Sequence, residues 1–161
     1  PGASWVMAPF VHCSPLRPGR FSDGSFGLYY AGDRTEVAIA ETVHHHARFM
    51  SATEETPGWT SQFRELIGSI DTDLDDATGH ADLLDPEDYR PSQLFGAERR
   101  AAGSNGITWP SVRFPEGQCI AVFWPDVIPI PTQGAHFAYH WDGDRVDYVK
   151  RLDDGEVWRV S

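Results

Sequence analysis

Four features of the sequence place ligand-binding or reactive side chains beside irregular backbone. Arg20 precedes Ser22-Asp23-Gly24-Ser25, a loop of short polar side chains with accessible backbone. Tyr29-Tyr30 closes a short apolar stretch. Glu41 falls at the edge of an apolar helix face, and Ser111 and Arg113 stand in Trp109-Pro110-Ser111-Val112-Arg113. An arginine fork for phosphate, a ring for stacking, a carboxylate for a ribose hydroxyl and a positioning hydroxyl form a set that suits a nucleotide. Taken singly, each residue is better explained structurally: Arg20 by a surface ion pair, Tyr30 by the core, Glu41 by a helix-edge charge, Ser111 by a turn.

The run His44-His45-His46 follows Glu41 by a few residues. Glu41, His44 and His45 have the i, i+3, i+4 spacing of helical metal ligands. The sequence offers no second ligand cluster, so no metal is expected. His45, one turn beyond Glu41, reads as an active-site neighbour, because a neutral imidazole suits general-base work near pH 7. His46 falls on the apolar stripe and reads as core.

The elements that position these residues follow from periodicity and turn chemistry. Residues 5–11 (WVMAPFV) read as a strand ending at His12, and residues 27–31 as a second. Asp33 as cap, with Glu36 three residues on, predicts a helix over 34–50 whose stripe is Ile39, Val43, His46 and Met50, widened by Val37 and Ala40. Residues 63–70, 106–109 and 118–124 read as strands, and residues 86–102 as a helix at least from Pro91, ended by Gly103. Asp142-Gly143 and Asp154-Gly155 are hairpin signals between strand-like residues 137–141, 146–149 and 157–160, an antiparallel meander. The fold class is α+β: two main helices on a mixed, mostly antiparallel β core, in a single domain over residues 1–161.

Composition narrows the function classes. With 13 Lys and Arg against 24 Asp and Glu, the net charge is −11. Such a chain repels phosphate backbones and anionic lipid, so neither nucleic-acid nor membrane binding is expected. No apolar run approaches the roughly 20 residues of a membrane-spanning helix, and no signal peptide is visible. The sequence starts at Pro1 without a Met, which is compatible with a segment upstream. Eight acids and no Lys or Arg over residues 71–88 read as a solvated acidic loop. Cys13 and Cys119, far apart in sequence, read as small buried apolar residues of a reducing cytoplasm.

The order of these motifs resembles the RES domain family. The resemblance rests on the stretch from Arg20 to Ala31 (RFSDGSFGLYYA), on Ala38-Ile39-Ala40-Glu41-Thr42, and on Asn105 to Arg113 (NGITWPSVR) followed by Cys119-Ile120-Ala121-Val122-Phe123. RES domains are toxins of bacterial toxin–antitoxin pairs, and the sequence looks most like the ParT-type members, which are ADP-ribosyltransferases. The resemblance implies an ADP-ribosyltransferase-like fold with a cleft for NAD as substrate and no metal. It carries over Arg20, Tyr30, Glu41 and Ser111 as the motif residues, with Arg113 beside them. Many family members have a further Arg in the first strand; residues 5–11 contain none, and His12 is the candidate in its place. The implied activity is transfer of ADP-ribose from NAD to a cytoplasmic protein, with an NAD glycohydrolase or phosphorylase as the alternative. A DNA-binding, Xre-like antitoxin covering the NAD cleft is the implied partner.

Overall fold

The computed structural model describes residues 2–160. In chain order its main elements are α1 (Ala3–Val11), β1 (Tyr29–Gly32), α2 (Thr35–Ser51), β2 (Thr60–Ile67), β3 (Asp75–Asp76), α3 (Arg90–Ala101), β4 (Gly106–Pro110), β5 (Gln118–Val122), β6 (Thr132–Trp141), β7 (Val146–Arg151) and β8 (Val157–Arg159). They fall into two compact units, residues 1–37 with 68–131, and residues 38–67 with 132–161. Each unit holds one four-stranded sheet, so the α+β class read from the sequence is the one observed. Among the described residues no helix is long and apolar enough to cross a membrane.

The first unit's sheet has the order β1-β5-β4-β3. Its pairings are antiparallel except β3 with β4, which is parallel. Phe21, Ile107, Ala121, Phe123 and Val37 are buried together in its core with Trp109. Three sequence expectations change here. Residues 5–11 form helix α1 rather than a strand. Val6 is buried and Phe10 packs beside it, while Met7 and Val11 are exposed. Both pairs are four apart, the helical spacing that a nearly continuous apolar run conceals. The acidic stretch 71–88 is not only loop: it holds β3 and a short 3-10 turn, Ala81–Leu83, with Ala77 and Leu83 buried. Cys119 is buried as expected, but Cys13 is exposed.

The second unit's sheet, β2-β6-β7-β8, is antiparallel throughout, and its last three strands form the expected meander. Gly143 and Gly155 take φ of 108° and 79° at the two turns, conformations open to glycine. Val43 and Met50 of α2 are buried against Phe137, Tyr139, Trp141 and Val149, with Ile39 packed beside them. The His46 ring lies among Phe49, Phe63 and Tyr139, at 6.1, 5.0 and 6.2 Å between centroids. Burial holds its pKa below the ordinary histidine value. Val37, expected to widen this stripe, is instead fully buried in the first unit's core. Helix α2 begins at Thr35, so Asp33 precedes the cap position, and its carboxylate accepts from the Arg34 side chain at 3.3 and 2.9 Å.

In the first unit, α3 packs backbone to backbone on the chain at residues 20–21. An ideal Cβ on Gly96 would stand 2.1 Å from the Phe21 carbonyl oxygen. Gly96→Ala therefore forces helix and loop apart and costs about 1–3 kcal/mol. Glu98→Ala, on the exposed side of the same helix, stays within about 0.5 kcal/mol. Urea unfolding of the two variants measures the contrast; equal midpoints would show that α3 does not set the position of residues 20–21.

Candidate functional site

Arg20, Tyr30, Ser111 and Arg113 belong to the first unit, and Glu41 and the histidine run to the second.

Arg20 is fixed at its backbone before its side chain is considered. Ser92 Oγ lies 2.7 Å from the Arg20 carbonyl oxygen and 2.9 Å from that of Tyr89. Gln93 Nε2 donates to the Gly19 carbonyl at 3.0 Å. Ser92 and Gly96, four residues apart on α3, are both buried and small enough for the loop to lie on the helix. Nη1 of Arg20 then donates to the carbonyls of Leu83 and Asp85 at 3.1 and 2.8 Å. The guanidinium carbon lies 4.5 Å from the centre of the Tyr89 ring. The turn presenting these acceptors is itself held by Asp85, whose carboxylate accepts the N–H groups of Glu87 and Asp88 at 2.8 Å each. Those two bonds hold the Asp85 carboxyl below the usual carboxylate range.

The result is a cation in an unusual setting. Arg20 is only 7% exposed, yet among the described residues no carboxylate pairs with its guanidinium. Both hydrogen bonds leave through Nη1, so Nε and Nη2 keep their donors for another partner. A buried charge answered only by two carbonyl dipoles and a ring face is a strong attractor for an anion. The planar fork that remains suits a phosphate.

Tyr30 stands next to this group. Its phenol oxygen accepts the Phe21 N–H at 3.2 Å. Burial of that hydroxyl raises its pKa far above the ordinary tyrosine value, against the opposing effects of the Phe21 bond and the Arg20 charge. The residue as a whole is nevertheless 43% exposed, so what meets solvent is ring and backbone, not the hydroxyl. The ring meets Trp109 edge-on, at 6.2 Å and 87°. Trp109 in turn packs on Phe21 at 4.8 Å. Tyr30 is thus a ring held at its far end, free to stack at its face. Gly19 has no side chain because an ideal Cβ there would stand 2.7 Å from the Tyr30 hydroxyl.

Ser111 and Arg113 follow Trp109 along the chain. Ser111 is buried, and its Oγ accepts the N–H groups of Arg113 and Phe114 at 3.3 and 2.9 Å. Its own N–H donates to the Gly117 carbonyl at 2.9 Å, so Ser111 shapes the turn before β5. Arg113 Nη2 donates to the Pro86 carbonyl at 2.9 Å. Arg20 and Arg113 therefore hold adjacent carbonyls, Asp85 and Pro86, of one strap. His12 is exposed and closes α1, not a strand, with its N–H on the Ala8 carbonyl.

In the second unit Glu41 is half-buried and His45 exposed. At about 100° per residue they fall about 160° and 200° from Val43 around the helix, and Glu41 lies one turn from Val37, about 40° from it. The His44 and His45 rings meet at 5.2 Å. Among the described residues no group of three or more His, Cys, Asp or Glu is placed to hold a metal ion. The residues that sequence reasoning missed are Tyr89, Ser92 and the strap 83–86. Ser92 and Gly96 were detectable in principle as two small residues four apart at the start of a helix; the strap acts through carbonyls, which every residue has.

A family model described as the RES domain matches residues 1–142. The chain is also 31% identical over 157 residues to an uncharacterized protein, y4oC, of Sinorhizobium fredii (strain NBRC 101917 / NGR234), covering 94% of this chain and 63% of that protein. The chain thus spans less than two thirds of that relative. RES domains have an ADP-ribosyltransferase-like fold and are linked to NAD-using enzymes of toxin–antitoxin systems. With motif residues and family model in agreement over most of its length, this chain belongs to the RES domain family.

Proposed function

We propose that the chain is the toxin of a toxin–antitoxin pair and a mono-ADP-ribosyltransferase that uses NAD. The observation that carries this reading is Arg20, a nearly buried guanidinium with no carboxylate partner among the described residues and two unused donor positions. NAD brings what that setting lacks, a pyrophosphate. Tyr30 would stack on a planar ring of the same ligand. Arg113 would steady the strap that Arg20 holds.

In the reaction, the bond between ribose C1′ and the nicotinamide nitrogen breaks, and its electron pair leaves with neutral nicotinamide. Positive charge builds on the ribose ring, and the Glu41 carboxylate would stabilise it and hold a ribose hydroxyl. Ser111 would position the ribose. A nucleophile of the acceptor protein then attacks C1′ and gives up its proton, for which His45 is the candidate base. An exposed His45 suits a group that must meet an incoming protein. Water or phosphate in place of that nucleophile would make the enzyme an NAD glycohydrolase or phosphorylase. A neutralising Xre-like antitoxin would act by covering the NAD-binding residues.

Incubating the protein with NAD labelled in its adenylate phosphate, together with bacterial lysate, separates these outcomes. Label on a protein band is the expected result. Free ADP-ribose or its phosphate would mean depletion of NAD instead, and no release of nicotinamide would overturn both readings. Glu41→Gln, nearly isosteric but neutral, should lower nicotinamide release about 10²–10³-fold while the protein stays folded.

Arg20→Lys distinguishes a fork from a point charge. Lysine keeps the charge but has neither the planar donors nor the face that lies on Tyr89. The variant should lose about tenfold or more in kcat/KM for NAD, the worth of a hydrogen bond to a charged group. Full activity in Arg20→Lys would reduce Arg20 to a positive charge.

A further inference from the structure

The outer face of the second unit's sheet is unlike the rest of this acidic chain. Strand register sets Thr60, His140, Tyr148 and Arg159 side by side across β2, β6, β7 and β8. The next row is Gln62, Ala138, Lys150 and Val157, and beyond it Arg64 faces His136. The alternate residues, among them Phe63, Phe137, Tyr139 and Val149, build the core, so these rows form the open side. Thr60, Gln62, Arg64, Lys150, Val157 and Arg159 are exposed, while small Ala138 is 7% exposed between its larger neighbours.

Three cations on this face, Arg64, Lys150 and Arg159, form no ion pair among the described residues. Arg64 donates to the Gly134 carbonyl at 3.1 Å and lies 3.5 Å from His136 Nδ1. The two carboxylates nearby are already engaged. Asp147, at the irregularity where the register skips between His140 and Trp141, holds His140 Nδ1 at 2.6 Å. Asp153 accepts the His136 backbone N–H at 2.8 Å. On a chain of net charge −11, three unpaired cations against the two carboxylates Asp147 and Asp153 leave this face with a local positive excess.

We propose that this face docks an acidic, extended segment of a partner protein. Neighbouring strands lie about 4.8 Å apart and successive rows about 7 Å, so Arg64, in the third row on β2, and Arg159, in the first row on β8, lie about 20 Å apart on the diagonal, the length of about six extended residues. Carboxylates distributed along a segment laid on that diagonal would meet Arg64, Lys150 and Arg159. A polynucleotide fits less well. Its backbone charge would continue past the patch onto acidic surface. His140 and Tyr148 stack on each other at 4.6 Å and 10°, which turns one face of each ring away from any base. None of these residues belongs to the NAD set, so the docking face and the NAD chemistry stand or fall separately.

The test uses the full chain and a fluorescent peptide of about six residues alternating Glu and Ser, read by anisotropy. Raising the ionic strength from about 0.1 to about 1 M shortens the Debye length from about 10 to about 3 Å. The peptide should bind at the lower salt and weaken at least tenfold at the higher. The combined variant Arg64→Glu, Lys150→Glu and Arg159→Glu should bind at least tenfold more weakly with an unchanged thermal melt. If charge reversal disturbs folding, the same three positions changed to Gln provide the comparison. Absence of binding, or binding undiminished in a folded variant, would overturn the proposal. So would tighter binding of an oligothymidylate of equal length, or self-association that the variant abolishes, which would assign the face to nucleic acid or to a second copy.

Discussion

The first unit is organised around one guanidinium that the fold buries without an acid to answer it. Removing a cation from water costs several kcal/mol unless dipoles or an anion replace the lost hydration. Here the replacement comes from the Leu83 and Asp85 carbonyls and the Tyr89 ring. Those groups compensate the charge without cancelling it. A carboxylate in their place would have made a stable ion pair and left the guanidinium with no charge to offer an anion. The arrangement keeps Arg20 rigid and electrostatically unsatisfied, which is what preorganised recognition of an anion requires.

The neighbouring residues follow from that constraint. Ser92 and Gly96 let α3 press against residues 20–21, and a larger side chain at either position would lift the loop and its arginine together. Asp85 ties the strap through two backbone N–H bonds so that its carbonyl stays aimed at Arg20. Tyr30, bonded through its hydroxyl to Phe21, ties strand β1 to the same loop. Trp109 links that ring to β4, and Ser111 begins the turn that follows β4. Arg20, Tyr30 and Ser111, far apart in sequence, are thus joined through Phe21, Trp109 and a few backbone bonds.

Much of this was legible in the sequence. Helical spacing marks α2, Pro91 and Gly103 mark α3, and glycine turns mark the meander. Motif order singles out Arg20, Tyr30 and Ser111, which the first unit joins, and Glu41, which belongs to the second. The failures have physical causes. Residues 5–11 are apolar almost throughout, so neither period stands out; burial of Val6 and Phe10 decides for a helix. That change removes the strand whose end gave His12 its candidate role. Asp33 looked like a cap, but Arg34 takes its carboxylate. The acidic composition of 71–88 hid Ala77 and Leu83, two apolar residues that anchor the segment in the core. Tyr89 carried no motif, since a ring stacked on an arginine depends on tertiary placement alone.

A phosphate role for Arg20 predicts that the ligand is read first through its pyrophosphate. Calorimetric titration of the folded protein with ADP-ribose and, separately, with adenosine measures this directly. ADP-ribose should bind with an affinity that falls as salt rises, and adenosine should bind at least tenfold more weakly, since it lacks the group that Arg20 holds. Equal affinity for the two ligands, insensitive to salt, would contradict a phosphate role for Arg20.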